Sequence, residues 1–227
     1  MIKILFVCHL VKQTNTNKTK LPVVIVNSFQ NESKELIKNC LDLKCEDFIL
    51  AEIYDINWND QMSPWYMDPL YKNDMPYLGK ADEYLKQLVN NTIPEIEEYI
   101  NTHFNISIDY YVIAGYSLAG LFALYSAYNT DVFKRVVSAS GSLWYPNFLE
   151  YVYNNTISDN VDKVYLSLGN LESNTKHELM CKVKDNTLKI QDYLSNNLNV
   201  YYEENEGNHF KEPLLRMAKG IKYILQD

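Results

Sequence analysis

Several features that would point to particular functions are missing from this sequence. It has no stretch of about 18 consecutive apolar residues, so no segment reads as a membrane-spanning helix. Its 21 Lys and Arg residues form no block and are outnumbered by 29 Asp and Glu, for a formal net charge of −8. A nucleic-acid partner normally leaves a basic stripe, so that class is set aside. The four cysteines, Cys8, Cys40, Cys45 and Cys181, have no metal-ligand spacing and no His pair beside them. They read as reduced thiols in a cytosolic protein. Met1 to Leu10 is apolar but short, lacking both a basic n-region and a small-residue cleavage site, so it reads as a strand. The expectation is a soluble, cytoplasmic protein. No internal repeat, low-complexity tract or Gly/Ser linker marks a boundary, and residues 1–227 read as one domain.

What is present is alternation. Short β-rich runs recur at Ile2–Cys8, Val23–Asn27, Phe48–Tyr54, Tyr110–Ala114, Arg135–Ala139, Lys163–Leu168 and Val200–Glu204. Several are unbroken Val/Ile/Leu/Tyr stretches, the pattern of strands buried on both faces. Segments of helical period lie between them: Glu32–Leu41, Ala81–Tyr99 with Pro94 as a break or restart, Leu118–Tyr128, Thr187–Leu194 and Pro213–Leu225. This order predicts an α/β fold, a mostly parallel central sheet with helices on both faces in three layers. Asn57–Gly79, rich in aromatic residues and proline, breaks the alternation and reads as a wall of a pocket or a cover for the end of the sheet.

The strongest local signal is Tyr110 to Gly120, where a buried strand runs through Gly115-Tyr116-Ser117-Leu118-Ala119 into an apolar helix. That is the pattern of a nucleophile elbow, a sharp turn that projects a serine hydroxyl above the carboxyl edge of a sheet. The turn demands small residues two before and two after the serine. Gly115 meets this fully, and Ala119 departs from glycine by one methyl group. A serine nucleophile needs a base, and the chain offers only His9, His103, His177 and His209. In this architecture the order is serine, acid, histidine. His9 and His103 precede Ser117, and His177 lies in a polar helical start. His209 follows the last strand, at the edge where Ser117 sits. The acid is expected at the end of the intervening strand, Lys163–Leu168, which makes Glu172 the choice. Asp185 is the rival, and a serine–histidine pair without an acid is the third possibility.

Three segments carry a resemblance: the elbow Gly115 to Ala123, the run Ser138-Ala139-Ser140-Gly141-Ser142-Leu143-Trp144, and the tail Gly207-Asn208-His209-Phe210. Together they resemble the esterase branch of the α/β hydrolases, which includes siderophore (enterochelin-type) esterases, S-formylglutathione hydrolases and mycolyl transferases. The resemblance covers roughly Pro22 to the C-terminus. It implies the α/β-hydrolase fold, a small-molecule ester as substrate, and no metal or organic cofactor. By position it makes Ser117 the nucleophile, His209 the base and Glu172 the acid. Ala119 and the compact chain are its departures. For the oxyanion the expected donors are the backbone N–H groups of Leu118 and Phe29. Trp144 and Trp65 are expected to bind substrate as part of an aromatic pocket. An acyltransferase with the same triad, or a binding protein on the same fold, are the alternative functions.

Overall fold

The computed structural model describes residues 5–12 and 18–226. Its frame is a seven-stranded sheet of β1 (Leu5–Val11), β2 (Lys20–Asn27), β3 (Phe48–Tyr54), β6 (Ser107–Tyr116), β7 (Phe133–Ala139), β8 (Lys163–Gly169) and β9 (Asn199–Asn205). The spatial order is β1-β3-β2-β6-β7-β8-β9. Only β1 runs antiparallel; the other pairings are parallel. Of the strand expected from Ile2, residues 2–4 lie outside the described residues, and the described strand continues to Val11. No helix among the described residues is long and apolar enough to cross a membrane.

Alternation along each strand explains why these runs are apolar throughout. On β2, Val23 and Ile25 enter one core while Val24 and Val26 enter the other. One face is covered by α1 (Ser33–Asp42) and α8 (Pro213–Leu225), through Leu36, Cys40, Met217 and Ile221. The other face carries α3 (Ala81–Gln87), α4 (Ile93–His103), α5 (Leu118–Ser126), α6 (Phe148–Asn154) and α7 (Val183–Leu194). All nine residues of α5 are buried, as a helix apolar on every side requires. These layers match the architecture expected from the sequence.

The break expected near Pro94 is present, and one helix is additional to expectation. The long helix expected over Ala81–Tyr99 is interrupted by a π-helical turn at Leu88–Thr92, after which α4 restarts with Pro94 in its first turn. The turn is bonded through, with the Ile93 N–H donating to the Leu88 carbonyl immediately before Pro94. The helix α6 was not anticipated. Its short aromatic sequence has little periodicity beyond Phe148 and Val152, four apart and both buried. Within Asn57–Gly79 lie α2 (Trp58–Gln61) and a two-stranded ribbon of β4 (Tyr66–Met67) and β5 (Tyr77–Leu78).

The sheet order reverses direction between β2 and β6, and a crevice opens outside the carboxyl ends of parallel strands at such a point. Ser117 stands there, directly after β6. A side chain at Gly115 would place its Cβ 2.1 Å from the Ala119 carbonyl oxygen and 2.8 Å from the Ala119 Cβ. Strand and helix therefore approach as closely as the elbow pattern demands, and the Ala119 methyl already fills the gap. We predict that Ala119→Leu lowers stability by ~1–3 kcal/mol, the usual range for overpacking. An unchanged denaturant midpoint would contradict the close approach.

Candidate active site

Ser117 has φ 58° and ψ −122°, a backbone conformation that residues with side chains rarely adopt and that costs about 1–3 kcal/mol. The surroundings hold it there. Its N–H donates to the Ala139 carbonyl at 3.1 Å, and its own carbonyl accepts from Gly120, Leu121 and Ser142. The turn aims the hydroxyl out of the sheet edge, where Ser117 Oγ lies 2.9 Å from His209 Nε2. The other ring nitrogen, His209 Nδ1, lies 2.7 Å from Glu172 Oε2. Thus Ser117, His209 and Glu172 form one continuous hydrogen-bonded series. The rival Asp185 is an exposed residue in the first turn of α7.

The other histidines are engaged elsewhere. His103 bonds the Tyr99 carbonyl and stacks on the Tyr99 ring. His177 lies against the Leu70 carbonyl and the Leu179 N–H. His9 sits within β1, paired with Leu50.

The loops carrying acid and base are tied together. Asn170 N–H donates to the Asn205 carbonyl, Leu171 N–H to the Gly207 carbonyl, and Gly207 N–H to the Asn170 side chain. A Cβ at Gly169 would meet the Gly207 carbonyl oxygen at 2.3 Å, so only glycine lets the two turns touch. At their centre is Arg216, from α8 and 2% exposed. One of its nitrogens donates to Glu172 Oε1 at 2.8 Å and to Ser140 Oγ at 3.0 Å. The second donates to the carbonyls of Glu206 (3.0 Å) and Asn208 (2.9 Å), on the loop before His209. Tyr116 completes the clamp by donating its hydroxyl to the His209 carbonyl at 2.7 Å.

The electrostatics follow from this arrangement. Glu172 is 4% exposed, and burial pushes its carboxyl up. The hydrogen bond and charge of His209, the Gly169 N–H and the Ser140 hydroxyl outweigh burial and hold it below its ordinary value. His209, at 28% exposed, is open to the cleft while the acid behind it is sealed.

The cleft has two lobes that meet at Ser117. One, of about 280 Å³, is lined by Phe29, Trp58, Phe210, Leu214 and Met217. The other, of about 240 Å³, is lined by Trp58, Leu70, Tyr77, Trp144 and Met180. Trp144 is therefore at the cleft wall. Trp65 is not, and that expectation is corrected. Its indole donates to the Pro146 carbonyl at 2.9 Å and packs against Tyr145, Phe148 and Tyr151, on the cover side of the loop. Trp58 takes the wall position instead, with its ring edge-on to Phe29 at 5.5 Å. Asn57–Gly79 thus serves both as wall and as cover.

The backbone N–H of Leu118 opens α5, where helical donors have no partner within the helix. The Phe29 loop borders the first lobe. That loop is anchored at Ser28, whose N–H donates to the Ile53 carbonyl. It is anchored again by fully buried Glu52, which accepts the N–H groups of Glu32 (2.7 Å) and Ser33 (3.0 Å) at the start of α1. A carboxylate at a helix N-terminus is favourable.

Sequence reasoning missed Arg216, Glu52 and Trp58. The first two carried a readable signal, a charged residue inside an otherwise apolar run: Leu214-Leu215-Arg216-Met217-Ala218 and Ile49-Leu50-Ala51-Glu52-Ile53.

A model of the family described as "Putative esterase" matches residues 16–218. Among curated proteins, the chain is 24% identical to the uncharacterized protein YbbA of Bacillus subtilis over 96% of this chain and 91% of that one. Among solved structures, an IroE-like serine hydrolase from Shewanella oneidensis superposes with a TM-score of 0.78 at 17% identity, covering 98% of this chain and 75% of that one. The siderophore hydrolase EstB from Aspergillus nidulans gives 0.77 at 16%, covering 98% and 91%. These likenesses establish a shared fold.

Removing Arg216 leaves a sealed carboxylate without its cation. We predict that Arg216→Met costs roughly 3–5 kcal/mol in urea unfolding, the usual result of breaking a buried pair on one side. Because the folded Glu172 carboxyl is depressed, its stabilising contribution is complete above the ordinary value of 4.5 and is lost as pH falls through the lower folded value. In Arg216→Met this acid loss begins at higher pH, measurable as a shifted acid-unfolding midpoint relative to its own neutral-pH stability.

Proposed function

Because the chain belongs to this esterase family, we propose that it is a serine esterase with Ser117 as nucleophile, His209 as general base and Glu172 as the acid that orients it. The observation that carries the reading is the unbroken series from Ser117 Oγ through both ring nitrogens of His209 to Glu172, set at a strained turn on the carboxyl edge of the sheet. The structural likeness to a serine hydrolase and a siderophore hydrolase supports ester chemistry.

In the proposed sequence, His209 donates its Nδ1–H to Glu172, leaving Nε2 as acceptor for the Ser117 proton. Ser117 Oγ attacks the acyl carbon as the carbonyl π pair moves onto oxygen. The oxyanion is received by the N–H groups of Leu118 and Phe29. The C–O bond to the alcohol breaks, and His209 returns the proton to the departing oxygen. Water then repeats the attack on the acyl-enzyme with His209 as base, and the free acid leaves. Glu172 stays ionised throughout, which suits its depressed carboxyl and its contact with Arg216.

Ser117→Ala is expected to fold normally, to lose hydrolysis of short p-nitrophenyl esters by roughly a thousandfold or more, and to lose labelling by a fluorophosphonate. A mutant as fast as wild type would rule out this nucleophile.

The acid is tested separately. Glu172→Gln keeps the shape and one acceptor for Arg216 but not the charge that stabilises the imidazolium. Its kcat is expected to fall by roughly ten- to ten-thousandfold with KM little changed, since the loss is felt in the chemical step. Asp185→Asn is expected to match wild type. The reverse pair of results assigns the acid to Asp185, and two active variants indicate a serine–histidine pair.

A further inference from the structure

Both lobes of the cleft are walled largely by apolar and aromatic side chains, and apart from His209 their charged side chains are acidic. No Lys or Arg is among the described residues that line either lobe. The charged residues that do line them are Glu32 in the first lobe and Glu172 in the second. Glu172 is committed to His209 and Arg216. Glu32 has neighbours of its own sign. The carboxylate of Glu52 lies against its backbone N–H at 2.7 Å. Burial, then the charges of Glu52 and Glu35, push the Glu32 carboxyl up, the direction produced where no cation offsets them.

We propose that this cleft is selective for uncharged, apolar esters and excludes anionic ones, with Glu32 as a residue that sets the exclusion; this rests on the serine-esterase reading above. An apolar group entering either lobe leaves water for aromatic and aliphatic walls, which is favourable. A carboxylate entering instead loses its hydration without gaining a Lys or Arg partner, and His209, which lines both lobes, is already committed to Glu172 and Ser117. In the first lobe it also meets the field of Glu32, which is weakly screened in a partly buried site. Volumes of about 280 and 240 Å³ suit a small ring or a short acyl chain on each side of the scissile bond. Trp58 lines both lobes and so touches both halves of such an ester.

Matched pairs of esters test this, because they vary charge at nearly constant shape. On the acyl half, p-nitrophenyl hexanoate is compared with mono-p-nitrophenyl adipate. On the alcohol half, phenyl hexanoate is compared with its meta-carboxyphenyl analogue. Wild type is expected to favour the neutral member of each pair by roughly tenfold or more in kcat/KM. Glu32→Gln is expected to narrow the gap by about fivefold or more in one pair, the one whose charge enters the first lobe. Carboxylated esters cleaved as well as neutral ones would overturn the selectivity, and gaps unmoved in Glu32→Gln would overturn the role of Glu32. Failure of the underlying reading looks different: neither neutral ester is cleaved and a fluorophosphonate leaves Ser117 unlabelled, which removes both proposals together.

Discussion

The ion pair between Arg216 and Glu172, both nearly inaccessible to water, is the interaction on which the site's geometry depends. A guanidinium taken out of water must have its donors satisfied, and here its partners come from several parts of the chain. One nitrogen meets the acid after β8 and the serine after β7; the other meets two carbonyls before His209. The same group also lies 3.3 Å from the hydroxyl of Tyr116, beside the nucleophile. Loops following three strands and the end of β6 are thus referred to one rigid planar fork on α8. Distances of 2.7 and 2.9 Å along the Ser117–His209–Glu172 series require such a common reference, because loops positioned independently would not keep them.

Strain and support are matched around Ser117. Its positive φ is sustained by hydrogen bonds to β7, the first turn of α5 and the Ser142 loop. The helix behind it is buried on every side, so the turn cannot relax by tilting α5 away. On the opposite side of the cleft, Glu52 fixes the start of α1 and with it the loop of Phe29. Catalytic precision here comes from packing and buried polar contacts behind the cleft.

Much of this was legible in the sequence because it rests on short-range physics. Strands buried on both faces read as unbroken Val/Ile/Leu runs, and Phe48–Tyr54 and Pro213–Leu225 fall where the pattern puts them. The elbow is local too, since one tight turn needs Gly115, Ser117 and a small residue at position 119. Glu172 and His209 followed from strand order. Long-range pairings were not legible. Arg216 looks like one basic residue in an amphipathic helix until the fold brings Glu172 to it. The choice between Trp58 and Trp65 turned on which side of an irregular loop each would face, and periodicity carries no information there. The helix α6 escaped because aromatic residues in a seven-residue stretch do not distinguish helix from loop.

The two-lobed cleft has a further consequence, for how such a protein can change over time. Ser117, His209, Glu172 and Arg216 all lie between positions 115 and 216, on loops and a helix hydrogen-bonded to one another. Much of the opposite wall, Trp58, Leu70 and Tyr77, belongs to a separate segment that folds as its own short helix and ribbon, stapled by Asp60. Part of the wall thus lies on a segment separate in sequence from Ser117, His209 and Glu172. Substitutions in residues 57–79 can therefore reshape that wall without touching the hydrogen bonds that join Ser117, His209 and Glu172.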